Sequence, residues 1–361
     1  MRLEIEPRRS VSPVLFYATP LLAVVLTVAS GYVLFLALGL DPSRTLYHFL
    51  VAPLLTGFGL AELCLKAGPL VLIATGLALG FRANVWNIGA EGQLIAGAIC
   101  SGGVALAFWN ESGWWILPLM TLAGALGGMA YAAIPAFLKT RFDVNEILSS
   151  LMLTYIATLI LSILVFGPWR DPDGLNFPES RLFSESAQLP LLIEGTRLHP
   201  GILVALGAAL LAWILSARTM TGFRLDVSGQ APEAARFAGF SRNHTIWMTL
   251  LAGGGLAGLA GCFEIAGPIG QLLPQISPGY GFTAIIVAFL GRLHPLGIIA
   301  AGFLVALSYN GGEIAQVQDQ LPAAAVGVFQ GMLLFYLLAC DFLSRFHIRL
   351  RRAPASAEKR S

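Results

Sequence analysis

Residues 69–94 read PLVLIATGLALGFRANVWNIGAEGQL. An apolar run ends at Phe81, a short polar block follows, and a second apolar run begins near Leu94. The block holds Arg82, Asn84, Asn87, Glu91 and Gln93, so two hydrophobic helices meet at a dense cluster of charged and amide groups. A charge at the centre of a bilayer costs about 2.5–3.5 kcal/mol on insertion scales, and such groups usually face a bundle interior or a pathway. Two readings of the block follow from polarity alone. It is a short loop with a helix start that Asn87 could cap, or it is part of a polar path through the bundle.

The rest of the chain fits the first half of that picture. Of 361 residues, 56% are hydrophobic and 12% charged, and the mean hydropathy is +0.75. Too little polar material remains to coat a soluble core of this size, so lipid must cover much of the surface. Ten apolar stretches can be read as spans, near residues 14–40, 69–81, 91–109, 116–138, 146–166, 201–217, 246–266, 282–290, 295–308 and 322–340. The expected fold is an all-α polytopic membrane protein of about ten transmembrane helices. The first stretch is too long for a signal-peptide core and is expected to stay as an anchor. The eighth and ninth are each too short to cross. Together they suggest a half-helix, a break at Gly291-Arg292-Leu293-His294-Pro295, and a longer helix back.

Basic residues set the expected orientation. Arg2, Arg8, Arg9, Lys139, Arg141, Arg218, Arg224, Arg236, Arg242, Arg345, Arg349, Arg351, Arg352, Lys359 and Arg360 fall on one side, while Arg44, Lys66, Arg170, Arg181 and Arg197 fall on the other. Positive residues concentrate inside, so both termini are expected to be cytoplasmic, which needs an even number of spans. Residues 1–345 then read as one transmembrane domain, with a cytoplasmic loop at 218–245 inside it and a basic cytoplasmic tail at 346–361. That tail reads as a solvated, lipid-headgroup-facing segment and needs no nucleic acid. Residues 47–65 read as a weakly amphipathic helix along the outer interface. The outer loop 167–200, with Asp171, Asp173, Glu179, Glu185 and Glu194, reads either as a plain surface loop or as part of a docking face.

Several chemistries are set aside. The run Gly253-Gly254-Gly255-Leu256-Ala257-Gly258 matches a dinucleotide pattern only formally, because no strand precedes it. Small residues that let helices approach closely explain it better. No P-loop, zinc-protease or nucleophile-elbow motif is present, and the five His residues are dispersed. Cys64, Cys100, Cys262 and Cys340 lie in apolar runs without metal-ligand spacing and read as small buried hydrophobes. Neither a catalytic nor a metal site is expected.

In the 218–245 loop, Pro232-Glu233-Ala234-Ala235-Arg236-Phe237-Ala238 is a good short helix: Pro in the first turn, Glu near the positive end, and Gly239 to stop it. One aromatic and two opposite charges suit it to a groove on a soluble partner. An ordinary basic inner loop is the competing reading.

Asn84 through Gln93, followed by Val144-Asn145-Glu146-Ile147 and Leu151-Met152-Leu153-Thr154-Tyr155-Ile156-Ala157, resembles the permease subunit of ATP-binding-cassette (ABC) importers for nucleosides and simple sugars. These belong to the broader branched-chain amino acid and ribose type permeases. Gly229 through Phe240 is similar to that family's cytoplasmic coupling loop, and Gly279 through Gly297 to its later broken helix. The similarity runs from about Leu50 to Cys340. Thr154 and Leu293 stand where this group more often has Asn.

The resemblance implies a type II ABC-importer-like bundle with broken or re-entrant helices, working without an ATPase site of its own. It binds no cofactor itself; ATP and Mg would be used by a cytoplasmic ABC ATPase. Further implied partners are a second, paralogous permease, an extracytoplasmic solute-binding protein and membrane lipid, all at the bacterial inner membrane. Candidate pathway residues are Asn84, Asn87, Glu91, Gln93, Asn145, Glu146, Tyr155, Glu264, Gln271, Tyr280, Phe282 and Asn310. Glu91 and Glu146 could equally stabilise helix starts. Candidate coupling residues are Pro232, Glu233, Ala235, Arg236, Phe237 and Gly239. An ion-coupled secondary transporter using Glu91, Glu146 and Glu264 is the rival reading.

Overall fold

A computed structural model describes residues 2–7 and 13–351. Its chain divides into two compact units, Met1–Ala52 with Gly311–Ser361, and Pro53–Asn310. The helices are α1 (Pro13–Ala37), α2 (Pro42–Leu50), α3 (Gly57–Arg82), α4 (Ala90–Ala107), α5 (Ile116–Phe142), α6 (Glu146–Phe166), α7 (Gly201–Arg218), α8 (Met220–Gln230), α9 (Pro232–Phe237), α10 (Arg242–Glu264), α11 (Tyr280–Leu290), α12 (Pro295–Asp319) and α13 (Ala323–Arg345). Strands β1 (Arg2–Pro7) and β2 (Phe346–Arg351) pair antiparallel, Arg2 opposite Arg351 and Pro7 opposite Phe346. The part of the 346–361 tail beyond Arg351 lies outside the described residues.

Among the described residues, eight helices are long and apolar enough to cross a membrane. With the 25-residue α1 and the short apolar α11, they account for the ten expected stretches. Two boundaries differ from expectation. Helix α3 starts at Gly57, capped by Thr56 through a bond to Gly59 N, so residues 57–68 belong to the span and Pro69 lies inside it. Pro is favoured at helix starts, but a membrane helix accepts one internally because neighbours satisfy the freed groups. Only α2 and a 3-10 turn at Ala52–Leu54 remain of the interfacial stretch. Helix α12 likewise runs on to Asp319, past the expected end at Ser308.

The break between α11 and α12 is as the sequence predicts. Arg292 (φ 56°) and Leu293 (φ 55°) are both left-handed there, and Pro295 opens the next helix. At 11 residues, α11 is about 16 Å long and cannot cross a 30 Å core.

Helix α10 is the centre of the larger unit and packs against α3, α4 and α5. The glycine run makes this possible. A Cβ on Gly258 would meet the Gly124 carbonyl and the Gly128 backbone, one on Gly97 would meet Gly258, and one on Gly261 would meet the Leu94 carbonyl. Lipid gives helices no hydrophobic reason to associate, so this backbone-to-backbone packing supplies much of the cohesion.

In the smaller unit, Phe35, Phe49, Val326 and Phe329 form the core. Asp319, where the negative end of α12 disfavours a carboxylate, is held by His48 Nδ1 at 2.7 Å and Arg44 Nε at 3.3 Å. Of the cysteines, Cys262 and Cys340 are buried as expected, but Cys100 is exposed and Cys64 intermediate.

Candidate functional site

The polar block resolves into three devices. At its start, Asn84 is left-handed (φ 55°), a conformation Asn tolerates better than most residues. Its Oδ1 accepts from Trp86 Nε1 at 3.0 Å, and the Trp86 ring packs on Phe81 and Phe289. Next, Asn87 and Gln93 bind each other face to face: Asn87 Nδ2 donates to Gln93 Oε1 at 2.8 Å and Gln93 Nε2 to Asn87 Oδ1 at 3.1 Å. Asn87 Oδ1 also accepts from Gly89 N, in the turn just before α4, whose N-cap Gly89 carries no side-chain cap. Both amides are buried and satisfied by one another.

Glu91 does something sequence spacing could not reveal. Its carboxylate accepts from Gly281 N at 2.6 Å and from the Ser277 hydroxyl. Ser277 Oγ in turn accepts from Gly279 N and Tyr280 N. The first turn of α11 is therefore capped by a residue of α4, 190 positions earlier. Burial leaves Glu91 6% exposed, and helix N-terminal N–H groups favour a carboxylate there.

Of the other predicted residues, Glu146 borders one cleft with Asn84. Asn145 caps α6, its Oδ1 accepting from Ile147 N at 2.9 Å. Glu146 in that first turn pairs with Lys139 at 3.3 Å. Tyr155 is 60% exposed on the outer face of α6. Gln271 Nε2 donates to Glu179 Oε2 at 3.0 Å in the outer loop. Tyr280 is buried edge-on to Tyr309, Phe282 is 38% exposed, and Asn310 Nδ2 donates to the Gly59 carbonyl at 3.0 Å. Thr154 packs against Gly92 and returns its hydroxyl to the Ser150 carbonyl.

Glu264 is partly buried at the end of α10, within the field of Lys66, Arg197, Glu91 and Glu62. Sequence reading missed this cluster because it placed Glu62 and Lys66 outside the span. Their i, i+4 spacing, acid before base, was the available clue. Glu62 is 3% exposed and is gripped by Arg197, Nη2 to Oε2 at 2.6 Å and Nε to Oε1 at 3.1 Å. Two residues on, His199 is buried beside Phe263, and its Nδ1 accepts from Gly201 N at 3.1 Å. Burial pushes its imidazole down to about 4.

At the opposite end, α8 and α9 form an elbow outside the bundle. Pro232 opens α9, Glu233 lies in its first turn and Arg236 in its last. Gly239 (φ 81°) ends it, and Phe240 N closes back to the Ala235 carbonyl. Ala235 is buried and holds the helix down, while Phe237 is 91% exposed. A cleft of about 630 Å³ lies beneath, bordered by Asn84, Lys139, Glu146, Glu233, Arg236 and Arg242. The Lys139 ammonium beside Asp143 holds that carboxyl below its usual range.

These features define a polytopic helical permease: a small-residue bundle, a half-helix capped across it, and an exposed elbow anchored at one end. The chain belongs to the family described as branched-chain amino acid transport system / permease component, which matches residues 59–338. It is 38% identical over 374 residues to a glucose ABC transporter permease protein of Haloferax volcanii, covering 99% of this chain and 98% of that protein. It is 29% identical to a guanosine ABC transporter permease protein of Bacillus subtilis (91% and 94% covered) and 26% to a nucleoside ABC transporter permease protein of Lactococcus lactis (95% and 94%). Each organism also has a second, shorter-matching relative. The chain is thus a membrane-spanning ABC permease subunit, a transport component and not an enzyme; the ion-coupled reading has no support in this membership.

Proposed function

We propose that the chain forms half of the translocation path of an ATP-driven importer for a nucleoside or a simple sugar. The relatives named for nucleosides, guanosine and glucose support that substrate class. A cytoplasmic ATPase binds and hydrolyses ATP with Mg; this chain binds neither. An extracytoplasmic binding protein delivers the substrate to the outer loops. A paralogous permease completes the path, a reading supported by the paired relatives in three organisms. Lipid surrounds the assembly, and nucleic acid has no part in it.

The observation that carries this reading is the elbow. Phe237 projects from a short helix whose parent, α8, is tied to the end of α3 by the Arg82–Asp226 ion pair. A partner seated on Phe237, Glu233 and Arg236 would push on the bundle through a rigid joint. The pairing of Arg2–Pro7 with Phe346–Arg351 supports placing the two ends of the chain on one side, and the basic-residue distribution supports a cytoplasmic one. The protein then resides in the cytoplasmic membrane, with the elbow facing the ATPase.

Reconstitution with the ATPase, the second permease and the binding protein in proteoliposomes tests this. Uptake of a labelled nucleoside or sugar should require ATP hydrolysis. Uptake driven by an ion gradient without ATP would overturn the proposal.

A further inference from the structure

Residues 180–189 of the outer loop lie along the turn that follows α10. Ser180 N donates to the Leu272 carbonyl at 3.0 Å, and Leu272 N returns to Ser180 Oγ at 2.9 Å. Phe183 N donates to the Gly270 carbonyl and Leu189 N to the Ala266 carbonyl, each at 2.8 Å. The two segments run antiparallel, so the loop is laced to the turn along its length. Its other margin is fastened to the end of α4: Trp109 Nε1 donates to the Leu182 carbonyl at 2.9 Å, Arg181 covers the Trp109 ring, and Ser186 Oγ donates to the Glu111 carbonyl.

The turn depends on this strap. Residues Ile265–Ile269 are a π-turn containing Pro268, Gly270 is left-handed (φ 77°), and irregular chain follows to Tyr280. Ala266, Leu272 and Ser180 are buried. Pulling the strap away alone would strand buried N–H and carbonyl groups with no water to replace their partners, so strap and turn must move together. The same turn leads into Ser277 and Gly281, whose hold on Glu91 fixes the start of α11.

We propose that residues 180–189 are a movable strap through which an external partner acts on the bundle. Displacing the strap swings residues 266–272 about Gly270, draws Ser277 and Gly281 off Glu91, and frees the half-helix α11. Leu182, 65% exposed on the strap, and Phe177, 61% exposed just before it, are where a partner can press. This rests on the importer reading above, in which a binding protein docks outside.

The test is a cross-link. In a variant of the full assembly without the native cysteines, Ser186→Cys with Glu111→Cys ties the strap to the end of α4, where Ser186 Oγ donates to the Glu111 carbonyl at 3.2 Å. Oxidation should lower ATP-driven uptake at least ten-fold relative to the same variant reduced, and reductant should restore it. Unchanged uptake with the cross-link complete by mass spectrometry would overturn the strap. A second measurement needs no substitution: docking of the binding protein should speed amide hydrogen exchange at residues 279–283. Unaltered exchange there on docking would equally overturn it. Absence of ATP-driven uptake by the unmodified assembly would instead defeat the importer reading itself.

Discussion

Arg82, the last residue of α3, and Asp226, in the middle of α8, close a two-pronged ion pair 144 residues apart in sequence, Nε to Oδ1 at 2.8 Å and Nη2 to Oδ2 at 2.6 Å. Gly229, one turn further along α8, sits against the Arg82 carbonyl so closely that no Cβ fits. The elbow that carries α9 is therefore bolted to a membrane helix and does not hang from a flexible loop. Both side chains are partly solvated, so the pair contributes only about 1 kcal/mol to stability. Its larger effect is geometric.

Asp226→Asn should therefore leave folding almost unchanged and lower uptake per ATP hydrolysed several-fold. Exchanging the two residues, Arg82→Asp with Asp226→Arg, should recover part of the loss. Parallel uptake and phosphate-release assays on the reconstituted assembly read the ratio directly. An unaltered ratio in Asp226→Asn would remove the joint from the mechanism.

Phe237→Ala tests the docking role proposed for the tip of the same elbow. At 91% exposure the ring supports no core, so the isolated subunit should melt as before. An aromatic anchor in an interface is typically worth about 2 kcal/mol or more, so affinity for the ATPase should fall at least ten-fold. Pull-down or calorimetric titration with the ATPase measures this.

His199 gives a pH dependence of definite sign. Unfolded, its imidazole takes a proton near pH 6.5; folded, only near about 4. The unfolded chain thus binds more protons between these values. The stability contribution is whole above about 6.5, drains away as pH falls, and levels off below about 4. Its ceiling is about 3 kcal/mol. His199→Gln should flatten the difference in melting temperature between pH 7.5 and 4.5; an equally steep variant would mean that another group titrates.

Leu293 is strained: a γ-branched residue held at φ 55° costs about 1–2 kcal/mol. Leu293→Asn, a residue that tolerates the left-handed region better, should stabilise the subunit by about 1 kcal/mol in a thermal melt. A loss of stability would show that the leucine side chain contributes more by packing than its backbone costs.

Gly258→Ala should do the opposite. The new methyl group would run into the backbone of α5, and overpacking of this kind costs about 1–3 kcal/mol. Gly207→Ala, inside α7 and meeting nothing within contact distance, is the control and should cost no stability, since Ala favours a helix over Gly by up to about 1 kcal/mol. Equal melting of the two variants would contradict the close crossing.

Much of this architecture was legible in one dimension. The ten apolar stretches, the broken helix at Gly291–Pro295, the short helix from Pro232 to Gly239 and the small-residue face of α10 are local properties. Each is set by hydropathy over a window, by proline and glycine backbone preferences, or by side-chain size. Asn87 as a residue near a helix start belongs to the same class, since its bond to Gly89 N reaches only two residues. The start of α3 is missed because residues 57–65 read as part of a weakly amphipathic interfacial stretch, and the acid and base at Glu62 and Lys66 look exposed until Arg197 is brought against Glu62.

The pathway residues were harder, because lining a cavity is a property of several helices at once. Tyr155 and Glu91 both sit in apolar helices, yet Tyr155 is 60% exposed and Glu91 caps α11 from a different span. By itself, the sequence determined a membrane bundle, its half-helix and its external elbow, since these follow from patterns within a few turns of chain. Only the tertiary structure decided which acids are paired, which loop laces to which turn, and that Arg82 grips Asp226. Those depend on distances between segments remote in sequence, and no local rule encodes them.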